Sequence, residues 1–111
     1  MMTNLRPTDC DEFINDIDGG AFADQLSHAV SKVASAAMET QKVGVITIQL
    51  KFSKGAGHNN ITVEHKLVSN APLPKGKCVE EHRDKTPMYV NTGGDVSLFA
   101  KHTEQLFEAK A

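Results

Sequence analysis

Two stretches of strict alternation limit what this chain can fold into. Ile46, Ile48, Leu50 and Phe52 alternate with Thr47, Gln49, Lys51 and Ser53, and Ile61, Val63, His65 and Leu67 alternate with Thr62, Glu64 and Lys66. A period of two belongs to a strand with one buried face and one wet face. Between the two runs lies Lys54-Gly55-Ala56-Gly57-His58-Asn59-Asn60, a Gly/Asn loop, so the pair reads as a β-hairpin. A sheet that is apolar on one side needs a second layer over that side.

The preceding segment supplies such a layer. From Ala21 to Gln41, Phe22, Leu26, Val30, Val33 and Ala37 recur at helical spacing with Met38 beside them, one apolar stripe of an α-helix. Asp18 is placed to cap its start, and Gly19-Gly20 breaks it from a short apolar patch of one or two helical turns at Phe13, Ile14 and Ile17. Only Asp24, Lys32 and Glu39 carry charge along the helix, and its other faces are Ala and Ser. A helix with a solvated face usually lines that face with charge. Either this one tolerates small surface residues, or Ser27, Ser31, Ala34 and Ser35 let a partner backbone approach. The second reading predicts a homodimer or larger oligomer through that face.

Beyond the hairpin, residues 70–87 show neither period. Three prolines, a glycine and dense mixed charge predict a long loop. Met88-Tyr89-Val90 and Val96-Ser97-Leu98-Phe99, joined across Asn91–Asp95, predict a second, tighter hairpin, and Lys101–Lys110 with Leu106 and Phe107 a short helix or a tail. Residues 1–11 read as a polar, mobile terminus. The expectation is one α+β domain over residues 12–111, a long N-terminal helix packed on a small antiparallel sheet of two hairpins, about four strands. Leu, Ile, Val and Phe number 26 of 111 residues, about 23%, just above the level at which disorder becomes the default, so the core is expected to be thin.

No apolar run approaches the roughly 18 residues that cross a bilayer, and no signal-peptide pattern opens the chain, which points to the cytoplasm without a membrane partner. Cys10 and Cys78 stand far apart, outside any CxxC arrangement, as thiols in a reducing compartment do. The histidines His28, His58, His65, His82 and His102 form no metal-binding spacing, and Cys78 with His82 is half of a ligand pair, so no metal or other cofactor is expected. A Cys78–His82 thiol–imidazole pair lacks an orienting third group, and neither Gly-rich loop is a phosphate cradle. Enzyme is the least favoured class, and no catalytic residue is assigned.

Charge is distributed unevenly. Residues 1–41 carry a net −5 and residues 42–86 a net +4. Lys51, Lys54 and His58 near one hairpin end, with Lys75, Lys77, Arg83 and Lys85 in the segment 70–87, are the candidates for a nucleic-acid or partner contact, and Tyr89 for stacking.

The order of elements also resembles a set of small uncharacterised accessory proteins of tailed phages and prophages, often encoded near recombination or replication genes. The likeness lies in Phe13–Gly20 followed by a helix, in Lys42-Val43-Gly44-Val45-Ile46-Thr47-Ile48-Gln49-Leu50, and in a partner strand Ile61–Pro72. Met88-Tyr89-Val90 before a Gly turn and Leu98, and a terminal Gln105-Leu106, complete it; His102-Thr103-Glu104 stands where that set has Asp-Pro. The resemblance covers roughly residues 12–107 and brings no catalytic residues. It implies a phage accessory protein. Taken with the small size, the charge asymmetry and the lack of a catalytic constellation, it predicts a non-enzymatic module that binds or inhibits a host or defence protein. The alternative expectation is a nucleic-acid-binding accessory for recombination or replication.

Overall fold

The computed structural model describes residues 6–99. The elements run α1 (Cys10–Asp16), a 3-10 turn (Ile17–Gly20), α2 (Ala21–Thr40), β1 (Val45–Lys54), β2 (Asn60–Pro72), β3 (Lys77–Val90) and β4 (Val96–Ser97). The four strands form one antiparallel sheet in the order β1-β2-β3-β4, and α2 packs on it. The fold is α+β, a helical layer on an antiparallel meander.

Local chemistry explains the first turns. The Asp9 carboxylate accepts a hydrogen bond from the Glu12 N–H and caps α1. The reversal into α2 is built from left-handed residues, Gly19 at φ 63° and Gly20 at φ 95°, as a Gly pair allows. Asp18 does not cap α2. It takes φ 53° itself, and its N–H donates to Thr86 Oγ1 at 2.8 Å, tying the reversal to β3. The N-cap of α2 is Gly20.

The hairpin β1–β2 forms in the register the alternation demands, with Ile46 opposite Ser69, Ile48 opposite Leu67, Leu50 opposite His65 and Phe52 opposite Val63. Directly opposed residues share a face, and this is the face under α2. Ile17, Phe22, Val63, Leu67 and Met88 are wholly buried there and Phe13 nearly so. His65 lies inside that core rather than at its margin, its ring 5.0 Å from Phe22, and its Nδ1 has no hydrogen-bond partner among the described residues.

The segment 70–87 is not a loop. Eleven of its residues, 77–87, belong to a strand, β3, paired with β2 from Pro72↔Lys77 to Asn60↔Tyr89, and only residues 73–76 turn. The prolines fit without breaking the sheet. Pro72 ends β2, Pro74 sits in the turn, and Pro87 falls where β3 is still an edge strand, before β4 joins at Tyr89. The turn closes with the Leu73 N–H on Gly76 O, and Lys42 Nζ donates to the Leu73 and Pro74 carbonyls at 3.0 Å each. Periodicity failed here because β3 extends beyond the helix that covers β2, so both its faces are wet over residues 80–85.

One further expectation changes and one holds. The terminus is placed from Arg6 onward: the Arg6 N–H donates to Gly93 O, the Val96 N–H donates to Thr8 Oγ1, and Cys10 already begins α1. The tight β3–β4 hairpin is present, with Tyr89 opposite Ser97, and buried Asn91 braces its turn by donating to Asp95 and to Ser97 Oγ. The segment Lys101–Lys110 lies outside the described residues.

Candidate functional site

Three surfaces carry enough chemistry to act as a site, and the placement of α2 creates all three. Lys32 reaches down to β3, donating to Glu80 Oε1 at 3.2 Å and to Cys78 Sγ at 3.5 Å. The hydrogen bond to Glu80, then that to Cys78, raises the Lys32 ammonium above its ordinary value of 10.5. The flank of α2 opposite Lys32, bearing Leu26, Val30, Ala34 and Ala37, therefore faces the β1 side.

On that side the apolar surface stays open. Ile46 and Leu50 are partly buried against the core, but Ile48 is 43% exposed, Phe52 51% and Val30 50%. Phe52 stacks on Phe13 with ring centroids 6.3 Å apart. Where α2 passes into β1, Met38, Val43 and Val45 are exposed as well. The helical stripe read from spacing is thus rotated: Phe22, Ala29 and Val33 are the buried positions, and Val30 and Met38 are not. The sheet ends at β1, so nothing beneath covers a residue that overhangs it. Among the described residues no strand pairs with the outer edge of β1. Ser27, Ser31, Ala34 and Ser35 are all exposed on the outside of α2, where the sequence placed them.

The second surface is the sheet face away from α2, which no described element covers. The register sets Lys51, Glu64 and Lys85 in one row, then Gln49, Lys66 and Arg83 in the next, with Lys77 and Glu81 toward one end and Tyr89 at the other. Five of the predicted contact residues, Lys51, Lys77, Arg83, Lys85 and Tyr89, share this face. Lys54 does not: it lies opposite Ile61 on the other face and donates to Gly57 O. Lys75 is in the 73–76 turn, at the other end of β2 from Lys54, about 40 Å away over thirteen strand residues. The spacing-based list omitted Lys66, although alternation already put it on the polar face. Lys66 and Arg83 are like charges directly opposed, and Glu64 (4.0 Å) and Glu81 (3.3 Å) flank Arg83 to offset them.

The third is a groove of about 240 Å³ between α2 and β3, lined by Gln25, His28, Lys32, Ser69, Glu80 and His82 among others. Its polar groups bring no nucleophile beside a base. Cys78 and His82 sit on the same strand face four residues apart, about 13 Å, so they form no pair. Both cysteines are free. Among the described residues no three His, Cys, Asp or Glu side chains gather as metal ligands, and no helix is long and apolar enough to cross a membrane.

Comparison with known proteins gives a family but no activity. The model of the YfdP family matches residues 9–96, a span from the residue capping α1 to the first residue of β4. The uncharacterized protein YfdP of Escherichia coli (strain K12) is 35% identical over 105 residues, covering 95% of this chain and 87% of the relative. No solved structure matches.

Proposed function

The chain belongs to the YfdP family, and from that premise we propose that it is a non-catalytic protein-binding module whose contact surface is the open β1 side. The observation that carries this reading is the exposure of Val30, Ile48 and Phe52 beside a strand edge with no pairing partner among the described residues. Apolar side chains of this size flanking free strand N–H and C=O groups suit another polypeptide, which pairs with the edge and covers the side chains together. The resemblance to tailed-phage and prophage accessory proteins supports a host or defence protein as the class of target, and cytoplasmic action with it. Site-specific photocrosslinking in bacterial cells tests the reading. A crosslinker at Ile48 captures polypeptide, and one at Lys66 on the bare face captures none. Equal or absent capture at Ile48 contradicts it.

A second reading has its own observation. The bare sheet face gathers Lys51, Lys66, Lys77, Arg83 and Lys85 with Tyr89 at one end, an arrangement that suits a polyanion such as nucleic acid. Gel shifts at low salt test it, and loss of binding in Lys66→Glu supports it. No shift with single- or double-stranded DNA or with RNA removes it.

A further inference from the structure

The β1 side is not only open; it is complementary to itself. This inference rests on the reading of that side as a protein contact and names its occupant. The four apolar residues that β1 turns toward the helical layer, Ile46, Ile48, Leu50 and Phe52, are placed symmetrically about Gln49. Antiparallel pairing of β1 with a second β1 about that residue sets Ile46 against Phe52, Ile48 against Leu50 and Gln49 against Gln49. Thr47 then meets Lys51 on the other face, and Lys54 falls beyond the paired stretch, opposite Gly44. On the face toward the helices apolar meets apolar at every pair; on the other face Val45 meets Ser53, and no like charges are opposed.

A shift of one residue turns one copy over and sets apolar residues against polar ones. A shift of two in one direction brings Lys54 against Ile46, and in the other it leaves Phe52 against Gly44. The axis at Gln49 is the register that matches all four apolar positions.

We propose that a second copy of this chain occupies the β1 edge through this register, joining two sheets into one of eight strands with both α2 helices on the same face. Such a contact is isologous, the form that closed two-fold dimers take. Over the seam, the two β2 strands are three strand spacings apart, about 14 Å. Val30 and Ala34 on the facing helix flanks and Ile48 beneath them occupy this gap. The small residues Ser27 and Ala34 keep the approaching helices from clashing, which gives the uncharged face of α2 a physical purpose. The open side is about 34 Å long, ten residues of strand, and about 20 Å high, a sheet plus one helix. Docking thus buries roughly 700 Å² per copy, close to the roughly 800 Å² of a standard stable interface.

Two measurements on the full chain test this. Light scattering after size exclusion is expected to give about twice the 12.0 kDa chain mass, and Ile48→Lys to return it to 12.0 kDa. Ile48 is already half in solvent, so that variant is expected to keep the wild-type circular dichroism; Val79→Lys on β3 is expected to leave the dimer intact. The second measurement reads the register. In a Cys10→Ser, Cys78→Ser background, Gln49→Cys is expected to form an intermolecular disulfide within the about 4.4–6.8 Å Cα range such bonds need, and Lys51→Cys is not. A wild-type chain that remains 12.0 kDa at the highest concentration reached overturns the proposal, as does crosslinking of Lys51→Cys to the same extent as Gln49→Cys. A monomer that still crosslinks to other proteins through Ile48 would overturn the dimer and keep the contact reading. A monomer that captures nothing there would remove both.

Discussion

The two edges of this sheet solve the same problem in opposite ways. Every edge strand presents unpaired backbone groups to any passing chain, and natural sheets usually blunt that edge with charge, proline or a covering segment. The β3 edge is blunted: Glu80, Glu81, His82, Arg83, Asp84 and Lys85 run consecutively along it, Pro87 follows, and β4 covers its last two residues. Among the described residues the β1 edge has none of these devices over its ten residues except Lys51 and Lys54, and it lies beside Val30, Ile48 and Phe52. One edge is kept away from other chains, and the other is left fit for one. The contrast supports the proposed contact surface on the β1 side without reference to a pocket.

Substitutions can sharpen or break that contrast. The largest effect is expected from the layer both edges depend on. Phe22→Ala empties a fully buried site against His65 and is expected to cost about 3–5 kcal/mol in urea unfolding. Next is the junction that holds β1 under α2. A Cβ at Gly44 would stand 2.5 Å from Val33 Cγ1 and 3.2 Å from Pro72 Cδ, so Gly44→Ala is expected to lose about 1–3 kcal/mol and to loosen the β1 side first. The corresponding anchor for β3 is lighter. Lys42→Ala removes two exposed hydrogen bonds to the 73–76 turn, with an expected loss of about 1 kcal/mol. Smallest is Arg83→Ala, which deletes half-exposed ion pairs to Glu64 and Glu81. Its expected cost is at most about 1 kcal/mol and shrinks as salt is raised. An Arg83→Ala loss as large as that of Gly44→Ala would mean that the charged edge is structural, and the contrast between the edges would fail.

How much of this was legible in the sequence follows the same division. β1 and β2 announce themselves because α2 covers one face and water the other, which writes a period of two into Ile46–Phe52 and Ile61–Leu67. β3 is wet on both faces over residues 80–85, so that stretch carries no such record, and its charges with the flanking prolines read as loop. The helix was readable, but its rotation was not. Val30 and Met38 are as apolar as Val33, and nothing in spacing says that the sheet stops short of them. The charged candidates came together for the same reason that β3 was missed. Once residues 77–90 are a strand, alternation places Lys77, Arg83, Lys85 and Tyr89 on the face of Lys51 and Lys66, while Lys54 and Lys75 fall away from it.

Amide hydrogen exchange across protein concentration tests the contrast most directly. The account predicts that β1 amides over Val45–Lys54 exchange more slowly as concentration rises, while those of residues 80–85 in β3 keep the same rate. Equal slowing at the two edges, or no change in β1 at any concentration, would contradict it.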